Sequence, residues 1–333
     1  MSGLHAAPLD GPVLVLAGGL SHEREVSLRS GRRVADALRG RGLDVVAVDA
    51  DAALLPRLAS DPPAVVVPLL HGASGEDGAI RDVLDLLGLA YVGSGPTACR
   101  AVFDKPAAKA ALTAAGLATP DAVALPETTF RELGAAAVLD ALVDRLGLPL
   151  MVKPARGGSA LGASLVTARE QLPTAMVGCF AYGDVALVER AVRGREVAVA
   201  VLDGADGPVA LPAVEVVADG GVYDFTARYT AGATEFFAPA RLDAGTAEAC
   251  AAAALTAHRA LGLADLSRAD MIVDDDGRAW VLEVNVAPGM TETSLVPLAV
   301  AAAGADLGGV WEGLVRHAVA RGSRRPLPVA AAP

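Results

Sequence analysis

The sequence predicts an α/β protein made of two or three subdomains, and three observations support this fold class. Short apolar runs end in glycine-rich loops and are followed by amphipathic helical patterns, which is the order of elements in β-α-β units. Later in the chain, short apolar runs follow one another around tight turns, as in hairpins. A length of 333 residues exceeds what one small hydrophobic core needs.

Composition argues against several functional classes. The formal net charge of −11 and the isoelectric point near 4.9 disfavour a protein whose main surface binds nucleic acid or an anionic membrane, so any phosphate site must be local. Cys99, Cys179 and Cys250 are odd in number and far apart, which indicates free thiols in a reducing compartment. No charge-free apolar run reaches about 18 residues and the N-terminus lacks a signal-peptide pattern, so we expect a cytoplasmic protein.

The first β-α-β unit opens the chain. An apolar strand over Val13 to Ala17 ends at Gly18-Gly19, a helix follows from about Glu25 to Arg39, and the next strand covers Asp44 to Asp49. The Gly18-Gly19 loop then lies at the carboxyl end of a strand, where α/β folds bind ligands. Glu23 in this loop has two interpretations, binding of a substrate ammonium or stabilisation of the helix N-terminus. The loop lacks the three-glycine spacing of a dinucleotide fingerprint, which disfavours a nicotinamide dehydrogenase.

A second strand end faces the same crevice. The apolar run Val65 to Leu70 continues into His71, before a helix from about Ala79 to Leu87. A single histidine in a loop is more often structural than catalytic. Because His71 follows a neighbouring strand of the predicted sheet, a functional role gains weight.

The middle of the chain contains a candidate phosphate loop. The stretch from Asp121 to Leu148 alternates turn and helix signals and leads into an apolar strand that ends at Lys153-Pro154. The glycine-rich loop Arg156 to Gly162 follows, and then a strand over Ala163 to Val166. Such a loop can direct its N–H groups at phosphates, but an ordinary hairpin turn has the same composition and the spacing is not that of a P-loop.

A candidate covering loop lies between the later elements. Thr226 to Ala238 is too irregular for a helix or a strand, and we predict a loop that covers a site. The other predicted elements are strands over Val185 to Glu189, Glu196 to Leu202, 207–217 and 222–225, and helices over Thr246 to Leu261 and Ser294 to His317.

The stretch from Ser267 to Thr291 predicts a β-hairpin. Two apolar runs flank an Asp-Asp-Asp-Gly turn, and Asp-Gly between apolar runs is a strong hairpin signal. If Asp276 and Gly277 form a two-residue loop, Asp275 pairs with Arg278. An even-length loop keeps the polar residues of both strands on one face, whereas an odd-length loop without a bulge separates them.

This register brings four polar side chains together, with Asp270 opposite Glu283 and Arg268 opposite Asn285. Two facing carboxylates repel each other unless a cation lies between them, and oxygen ligands suit Mg²⁺. Apolar neighbours predict that Glu283 and Asn285 are buried and need partners, which favours a metal site over a solvated hairpin face. In the loop that follows, Gly289 could bring a backbone N–H close to a reacting group.

Seven motifs occur in an order that resembles one enzyme family. They are Gly18-Gly-Leu-Ser-His-Glu-Arg-Glu-Val-Ser, His71-Gly with Gly-Glu-Asp-Gly, Asp104-Lys105, Val152-Lys-Pro, Arg228-Tyr229, Arg268-Ala-Asp and Glu283-Val-Asn-Val-Ala-Pro-Gly-Met-Thr. Over about residues 12–320 the chain resembles the D-alanine–D-alanine ligases of peptidoglycan synthesis, within the ATP-grasp superfamily.

The resemblance implies an ATP-grasp fold of three domains, namely a Rossmann-like α/β domain, a central lid and a C-terminal mixed sheet. The implied limits are a disordered start at 1–11, an N-terminal substrate domain at 12–97, a lid at 98–189, a catalytic domain at 190–320 and a disordered tail at 321–333.

The resemblance also implies an activity. ATP phosphorylates the carboxylate of a first D-alanine, and the amine of a second D-alanine attacks the acyl phosphate. The implied partners are D-alanine and ATP, with two Mg²⁺ ions that Mn²⁺ could replace. Neither nucleic acid nor membrane is implied as a partner, and the implied assembly is a homodimer.

Residues that match the family's motifs take roles from it. Lys105 and Lys153 would hold phosphates, while Glu189 and Glu196 would contact the adenosine. The implied Mg²⁺ ligands, Asp270, Glu283 and Asn285, agree with the register argument above.

The remaining roles concern the two amino-acid substrates. Glu23 would orient the first D-alanine together with Ser159 and Tyr229, and His71 would lie near this subsite. Donors from Arg268 and the Gly289 N–H would stabilise the tetrahedral intermediate. Ser294 would bind the carboxylate of the second substrate, and Arg228 would lie near that second subsite.

Departures from the family's pattern leave alternatives open. Arg228 precedes Tyr229 where Lys is usual, Gly157 stands where Glu is common, and Arg-Ala-Val follows Glu189 in place of a Lys and an aromatic residue. Tyr229 is typical of the branch that uses an amine. Arg228 motivates a related dipeptide ligase with a different second D-amino acid, and a catalytically inactive ATP-binding sensor is a further alternative that the intact polar set disfavours.

Overall fold

The computed structural model describes residues 9–204, 206–219 and 232–324, and its strands form three sheets. The predicted strand at 222–225 lies outside these ranges, as do Arg228 and Tyr229. Cys99, Cys179 and Cys250 are buried and unpaired, as predicted.

The first sheet is a parallel β-α-β arrangement. Its elements are β1 (Val13–Ala17), α1 (Arg24–Gly40), β2 (Val45–Asp49), α2 (Leu54–Ser60), β3 (Val65–Pro68), α3 (Ala73–Glu76) and α4 (Ala79–Leu86). The strand order is β2-β1-β3, so β1 is central and all five of its residues are buried. α1 buries Ser27, Ser30, Val34 and Leu38, whose three- and four-residue spacing gives one inward face. This face places two serines under the carboxyl ends of the strands.

The second sheet is antiparallel, with the strand order β4-β7-β5-β6. Two helices lead into it, and the elements are α5 (Pro96–Phe103), α6 (Lys105–Ala114), β4 (Ala122–Pro126), α7 (Glu127–Leu133), α8 (Ala135–Leu146), β5 (Leu150–Pro154), β6 (Ser164–Val166), a 3₁₀ turn (Arg169–Gln171), α9 (Leu172–Phe180) and β7 (Val185–Arg190). The Asp104 carboxylate caps α6 by accepting from the Ala107 N–H at 3.1 Å. The cap and Pro106 fix where this helix begins, and hence where Lys105 lies.

Six of the described strands form the third sheet. Its elements are β8 (Arg195–Gly204), β9 (Gly207–Ala210), β10 (Val214–Ala218), β11 (Thr234–Phe237), α10 (Ala244–Ala260), β12 (Leu266–Val273), β13 (Ala279–Asn285), α11 (Leu295–Ala302) and α12 (Leu307–Arg321). The order is β11-β10-β8-β12-β13, and β9 pairs with β8. Each pairing within the described part of this sheet is antiparallel, whereas the family resemblance implied a mixed sheet.

The first and third sheets share a hydrophobic core, and the second has its own. Val13 and Val15 of β1 pack in one cluster with Ala198 of β8 and with Trp311 and Val315 of α12. The core of the second sheet is built from side chains between Phe130 and Val188. The helices α5 and α6, which precede the second sheet, pack instead with the third sheet, where Val102 and Leu112 join a cluster that contains Val197 and Val281.

Several predicted elements differ from the structure. The strand β4 and helices α7 and α8 occupy the stretch predicted as alternating turns and helices. Part of the predicted covering loop is instead the regular strand β11, which pairs with β10. The strand predicted over 207–217 is divided around Pro212, which has no N–H for a ladder. The single predicted helix over Ser294 to His317 is two helices, separated near Gly304 at φ +67°.

Among the described residues, no single helix is long and apolar enough to cross a membrane. The pair α11 and α12 passes the same test of length and composition only when taken together, and a bend of 106° separates them.

Candidate active site

The β12–β13 hairpin has the predicted pairing but not the predicted turn. The Asp274 N–H donates to the Arg278 carbonyl at 3.1 Å, so the loop consists of three residues, 275–277, with Gly277 at φ +78°. The predicted two-residue loop, with Asp275 paired to Arg278, is therefore wrong. An odd-length loop would move the polar residues of β13 to the opposite face if nothing compensated for it.

A β-bulge restores the register. Met271 pairs with Val281, whereas Asp270 pairs with Glu283, so Leu282 is an extra residue in β13. Beyond the bulge, Arg268 pairs with Asn285. The predicted cross-strand partners of Arg268 and Asp270 are thus confirmed, although a longer turn and a bulge produce them.

The four polar side chains differ in exposure. Arg268 and Asp270 are buried, and the guanidinium donates to both oxygens of the carboxylate at 2.7 Å. Glu283 and Asn285 are partly exposed, so the prediction that they are buried is wrong. Their strand packs on the core through Val281 and Val284, and the intervening positions face a cavity. The physical reason is that one face of β13 is open to solvent.

The oxygens on this face form a set that fits Mg²⁺. Asp270 and Glu283 supply carboxylates, and the amide oxygen of Asn285 also accepts the Ala287 N–H at 2.7 Å, which fixes its orientation. Among the described residues, no group of three or more His, Cys, Asp and Glu side chains is arranged for a metal. Two carboxylates and one amide oxygen, completed by substrate phosphates, match the usual ligands of Mg²⁺.

Three lysines lie close to two carboxylates, that of Glu283 on this hairpin and that of Glu189 on β7. The Lys105 ammonium donates to the Gly157 carbonyl at 2.7 Å and lies 3.9 Å from a Glu283 oxygen. The Glu189 carboxylate is almost fully buried, with Lys153 2.5 Å from one oxygen and Lys109 3.0 Å from the other.

The electrostatics of these lysines differ. Burial lowers the pKa of Lys105, even though Glu283 opposes the shift. Burial also disfavours the charged form of Lys153, but Glu189 and Glu283 outweigh it and the pKa of Lys153 is raised. Lys153 therefore keeps its positive charge, which suits it to bind an incoming phosphate. Lys109 had no role in the sequence-based reasoning, although its position four residues after Lys105 on the same helix was a usable signal.

Two cavities adjoin at this point. The larger has a volume of about 1510 Å³ and lies between the second and third sheets. The smaller has a volume of about 350 Å³ and opens against the first sheet. Lys105, Gly157, Gly158 and Glu283 line both.

All of the predicted site residues that the structure describes line these two cavities. The larger cavity is lined by Lys105, Lys153, Glu189, Glu196, Asp270 and Glu283. The smaller is lined by Glu23, His71, Lys105, Ser159, Arg268, Glu283, Asn285, Gly289 and Ser294. Arg228 and Tyr229 lie outside the described residues, so the structure says nothing of their predicted roles.

The first and second sheets meet at Glu23. The Ser159 hydroxyl donates to a Glu23 oxygen across the smaller cavity, which brings together two of the residues assigned to the first D-alanine. Glu76, from α3, lies beside them and accepts the Gly72 N–H at 3.0 Å. Burial raises the pKa of Glu76 to about 8, and the Glu23 carboxylate adds to the shift. The sequence-based reasoning noted the Gly-Glu-Asp-Gly motif but gave Glu76 no role.

The loop after β13 presents a backbone N–H to the smaller cavity. Within the part of the chain that the structure describes, no acceptor is recorded for the Gly289 N–H. A Cβ atom at Gly289 would lie 2.8 Å from the Ser294 hydroxyl oxygen, so any larger residue would force this hydroxyl to move. That hydroxyl accepts the Thr291 N–H at 2.9 Å and lies 2.8 Å from the Thr291 hydroxyl.

These groups suit a reaction between phosphates and small zwitterions. One cavity has ammonium groups beside hard oxygen ligands, and the other has a carboxylate, a hydroxyl and an open N–H. In sequence, residues 111–316 match the family described as "D-ala D-ala ligase C-terminus". The D-alanine–D-alanine ligase of Anaeromyxobacter dehalogenans (strain 2CP-C) is 44% identical over 88% of this chain and 92% of its own length. The chain belongs to the D-alanine–D-alanine ligase family.

Other relatives agree with this assignment. The D-alanine–D-alanine ligase of Gloeobacter violaceus is 42% identical over 93% of this chain and 98% of its own length. Among solved structures, the D-alanine–D-alanine ligase of Bacillus anthracis complexed with ATP matches with a TM-score of 0.77 and 27% identity, over 93% of this chain and 98% of that chain. The VanG D-Ala:D-Ser ligase of Enterococcus faecalis matches with a TM-score of 0.80 and 26% identity, over 92% of this chain and 99% of that chain. The ATP-grasp fold predicted from the motifs is thereby confirmed.

Proposed function

We propose that this chain is an ATP- and Mg²⁺-dependent ligase that converts two D-alanines and ATP to D-alanyl-D-alanine, ADP and phosphate, for peptidoglycan synthesis. The observation that carries the proposal is the pair of adjoining cavities with a shared wall at Lys105 and Glu283. A nucleotide in the larger cavity would direct its phosphates at that wall. The smaller cavity has room for two small amino acids.

In the first step, a carboxylate oxygen of one D-alanine attacks the γ-phosphorus of ATP, and ADP leaves. Lys105 and Lys153 would hold the phosphates, and Glu189 and Glu196 would contact the adenosine. Lys153 must turn from Glu189 to the nucleotide, and Lys109 would retain the Glu189 carboxylate when it does. Asp270, Glu283 and Asn285 would hold Mg²⁺, which when bound neutralises phosphate charge.

In the second step, the neutral amine of the other D-alanine attacks the acyl carbon, the nitrogen releases one proton, and phosphate leaves with the electron pair of the broken C–O bond. Glu23, held by Ser159, would orient the first D-alanine through its ammonium, with Tyr229 completing this set. The oxyanion of the tetrahedral intermediate would accept hydrogen bonds from the Gly289 N–H and Arg268. Ser294 would bind the carboxylate of the second D-alanine, near Arg228.

The level of identity favours D-alanine as the second substrate. The curated relatives at 42–44% identity are D-alanine–D-alanine ligases, whereas the D-Ala:D-Ser ligase matches at 26%. We place the reaction in the cytoplasm, where ATP is available, and propose that the enzyme is a homodimer.

The experiment is ADP and phosphate release by the purified chain with ATP and Mg²⁺, across D-alanine, D-serine, D-lactate and L-alanine, with the product identified by mass. We expect release with D-alanine alone and the mass of D-alanyl-D-alanine. Release only on addition of a different second substrate would contradict the assignment of the second substrate. ATP binding without release would contradict the ligase itself.

A further inference from the structure

The loop that contains Gly289 is fastened to the first sheet by two buried side chains. The His71 ring is 3% exposed, and its Nδ1 lies 2.9 Å from the Ala287 carbonyl oxygen. Its Nε2 lies 3.2 Å from the hydroxyl oxygen of Ser30, which is fully buried in α1. The same hydroxyl oxygen accepts the Met290 N–H at 2.9 Å. The two contacts to the loop lie on either side of Gly289.

The donors and acceptors of this chain of hydrogen bonds can be assigned. A carbonyl oxygen only accepts, so Nδ1 of His71 carries the proton. The Ser30 hydroxyl has one proton, and no other acceptor for it is recorded among residues 9–204, 206–219 and 232–324. It therefore donates to Nε2, which must be unprotonated. The ring is neutral, in the tautomer with the proton on Nδ1.

The surroundings favour the same state. Burial lowers the pKa of His71 to about 4, and the positive charge of Arg268 adds to this effect. Since both ring nitrogens already have partners within the protein, neither has a free hydrogen-bonding position for a substrate. These contacts within the protein therefore compete with the substrate-binding role that the sequence predicted for His71.

We propose that Ser30 and His71 are positioning residues, which fix the direction of the Gly289 N–H by holding Ala287 and Met290, and that His71 acts on the loop rather than on the substrate. The importance of this direction rests on the proposed function, in which the Gly289 N–H meets the oxyanion. Donors must lie where the negative charge develops, so a loop free to rotate would stabilise the transition state less.

Two isosteric variants separate a positioning role from a substrate contact. His71→Asn keeps an N–H donor near the position of Nδ1, whereas His71→Gln reaches towards the position of Nε2. We expect kcat within about 5-fold of the original for His71→Asn and about 100-fold lower for His71→Gln, with the KM for D-alanine nearly unchanged in both. The opposite ranking, or a loss confined to the KM for D-alanine, would overturn the proposal.

A second pair of variants tests Ser30. Ser30→Ala removes the bond to Met290, whereas Ser27→Ala removes a buried serine one turn earlier, whose hydroxyl bonds to Gly18 and Leu69 instead. We expect both variants to lower Tm, but only Ser30→Ala to lower kcat, by about 10-fold. An equal fall of kcat in both would indicate a merely structural serine and would overturn the role of Ser30.

The tautomer of His71 can be measured on the unsubstituted protein, so the result does not depend on the stability of a variant. Long-range ¹H–¹⁵N correlation on the full chain, with the His71 signals identified by their absence from His71→Asn, should show a neutral ring protonated on Nδ1 at pH 7. A proton on Nε2, or on both nitrogens, would overturn the proposal. If the unsubstituted protein makes no D-alanyl-D-alanine, the proposed function is refuted. The tautomer measurement does not depend on activity, so it would still test the hydrogen-bonded arrangement of His71.

Discussion

Two of the loops that line the smaller cavity are held in opposite ways. The anchored loop, residues 286–291, is tied by Asn285, His71, Ser30 and Ser294, all at backbone N–H or carbonyl groups. The glycine loop, residues 156–163, is tied chiefly through the ends of long side chains, and Arg156 is 67% exposed where it meets Asp104.

The backbone conformations of the two loops also differ. Ser159 and Ala160 of the glycine loop have φ of +50° and +54°, a left-handed conformation that costs free energy in residues with a Cβ atom. Such strain is typical of segments that change shape on ligand binding. From this comparison we predict that the anchored loop holds its donor more rigidly than the glycine loop holds its backbone.

The largest effect is expected where the two loops meet, at Glu283. Its carboxylate precedes the anchored loop and lies 3.9 Å from Lys105, which donates to the glycine loop. Glu283→Gln should lower kcat by about 10³-fold or more, because the proposed metal site would lose a ligand and with it several kcal/mol of charge stabilisation. The partly exposed side chain contributes little to the fold, so Tm should stay within about 3 °C.

The matched control is Asp276→Asn in the turn of the same hairpin, which removes an equal charge and should leave kcat unchanged. Turnover retained by Glu283→Gln would contradict the assignment of the metal ligand.

The next effect compares a glycine from each loop. Gly289→Ala places a methyl group 2.8 Å from the Ser294 oxygen in a loop whose backbone is held by four side chains, and we expect kcat/KM to fall about 10²-fold. Gly157→Ala meets nothing within 4 Å, although its φ of +127° is unfavourable for alanine. If the glycine loop relaxes around the new side chain, as this comparison predicts, the loss should stay below about 10-fold in the same assay. Equal losses in the two variants would refute the proposed difference in rigidity.

A smaller effect should follow from cutting the link between the glycine loop and the first sheet. Ser159→Ala removes a hydrogen bond to the charged Glu23, which is worth about 1.5–3 kcal/mol, so kcat/KM for D-alanine should fall roughly 10- to 100-fold. In a double-mutant cycle with Glu23→Gln, the two losses should be strongly non-additive. Additive losses would mean that the two residues act separately.

The smallest effect is one of pH, at Glu76, which also lines the smaller cavity. Its folded-state pKa of about 8 exceeds the ordinary value of 4.5, so between these values the folded chain binds a proton that the unfolded chain releases. The stability contributed by Glu76 is therefore present below pH 4.5 and is lost as the pH rises towards 8. Urea unfolding of the ligand-free protein at pH 5 and pH 8 should show a smaller decline for Glu76→Gln than for the original chain. Equal declines would contradict the raised pKa.

Much of the candidate site could be predicted because its motifs are local. The Asp-Gly turn and the alternation of β13 predicted that Asp270 faces Glu283, and strand ends followed by glycines predicted where Glu23 and His71 would lie. The turn length was predicted wrongly because a three-residue loop and a bulge at Leu282 cancel each other. Alternation alone cannot reveal a compensating pair of irregularities, since both schemes give the same final register.

By itself, the sequence determined the class of fold, the ends of strands that carry polar groups, the unpaired cysteines and the family of the enzyme. Those features depend on neighbouring residues, whose periodicity and turn chemistry act over a few positions. Only the tertiary structure decided that Glu189 holds two lysines, that Glu283 is open to a cavity, and that His71 is engaged through both nitrogens. The His71 contacts join residues 41 and 216 positions apart, and burial and hydrogen-bond partners at such separations arise only when the sheets have packed together.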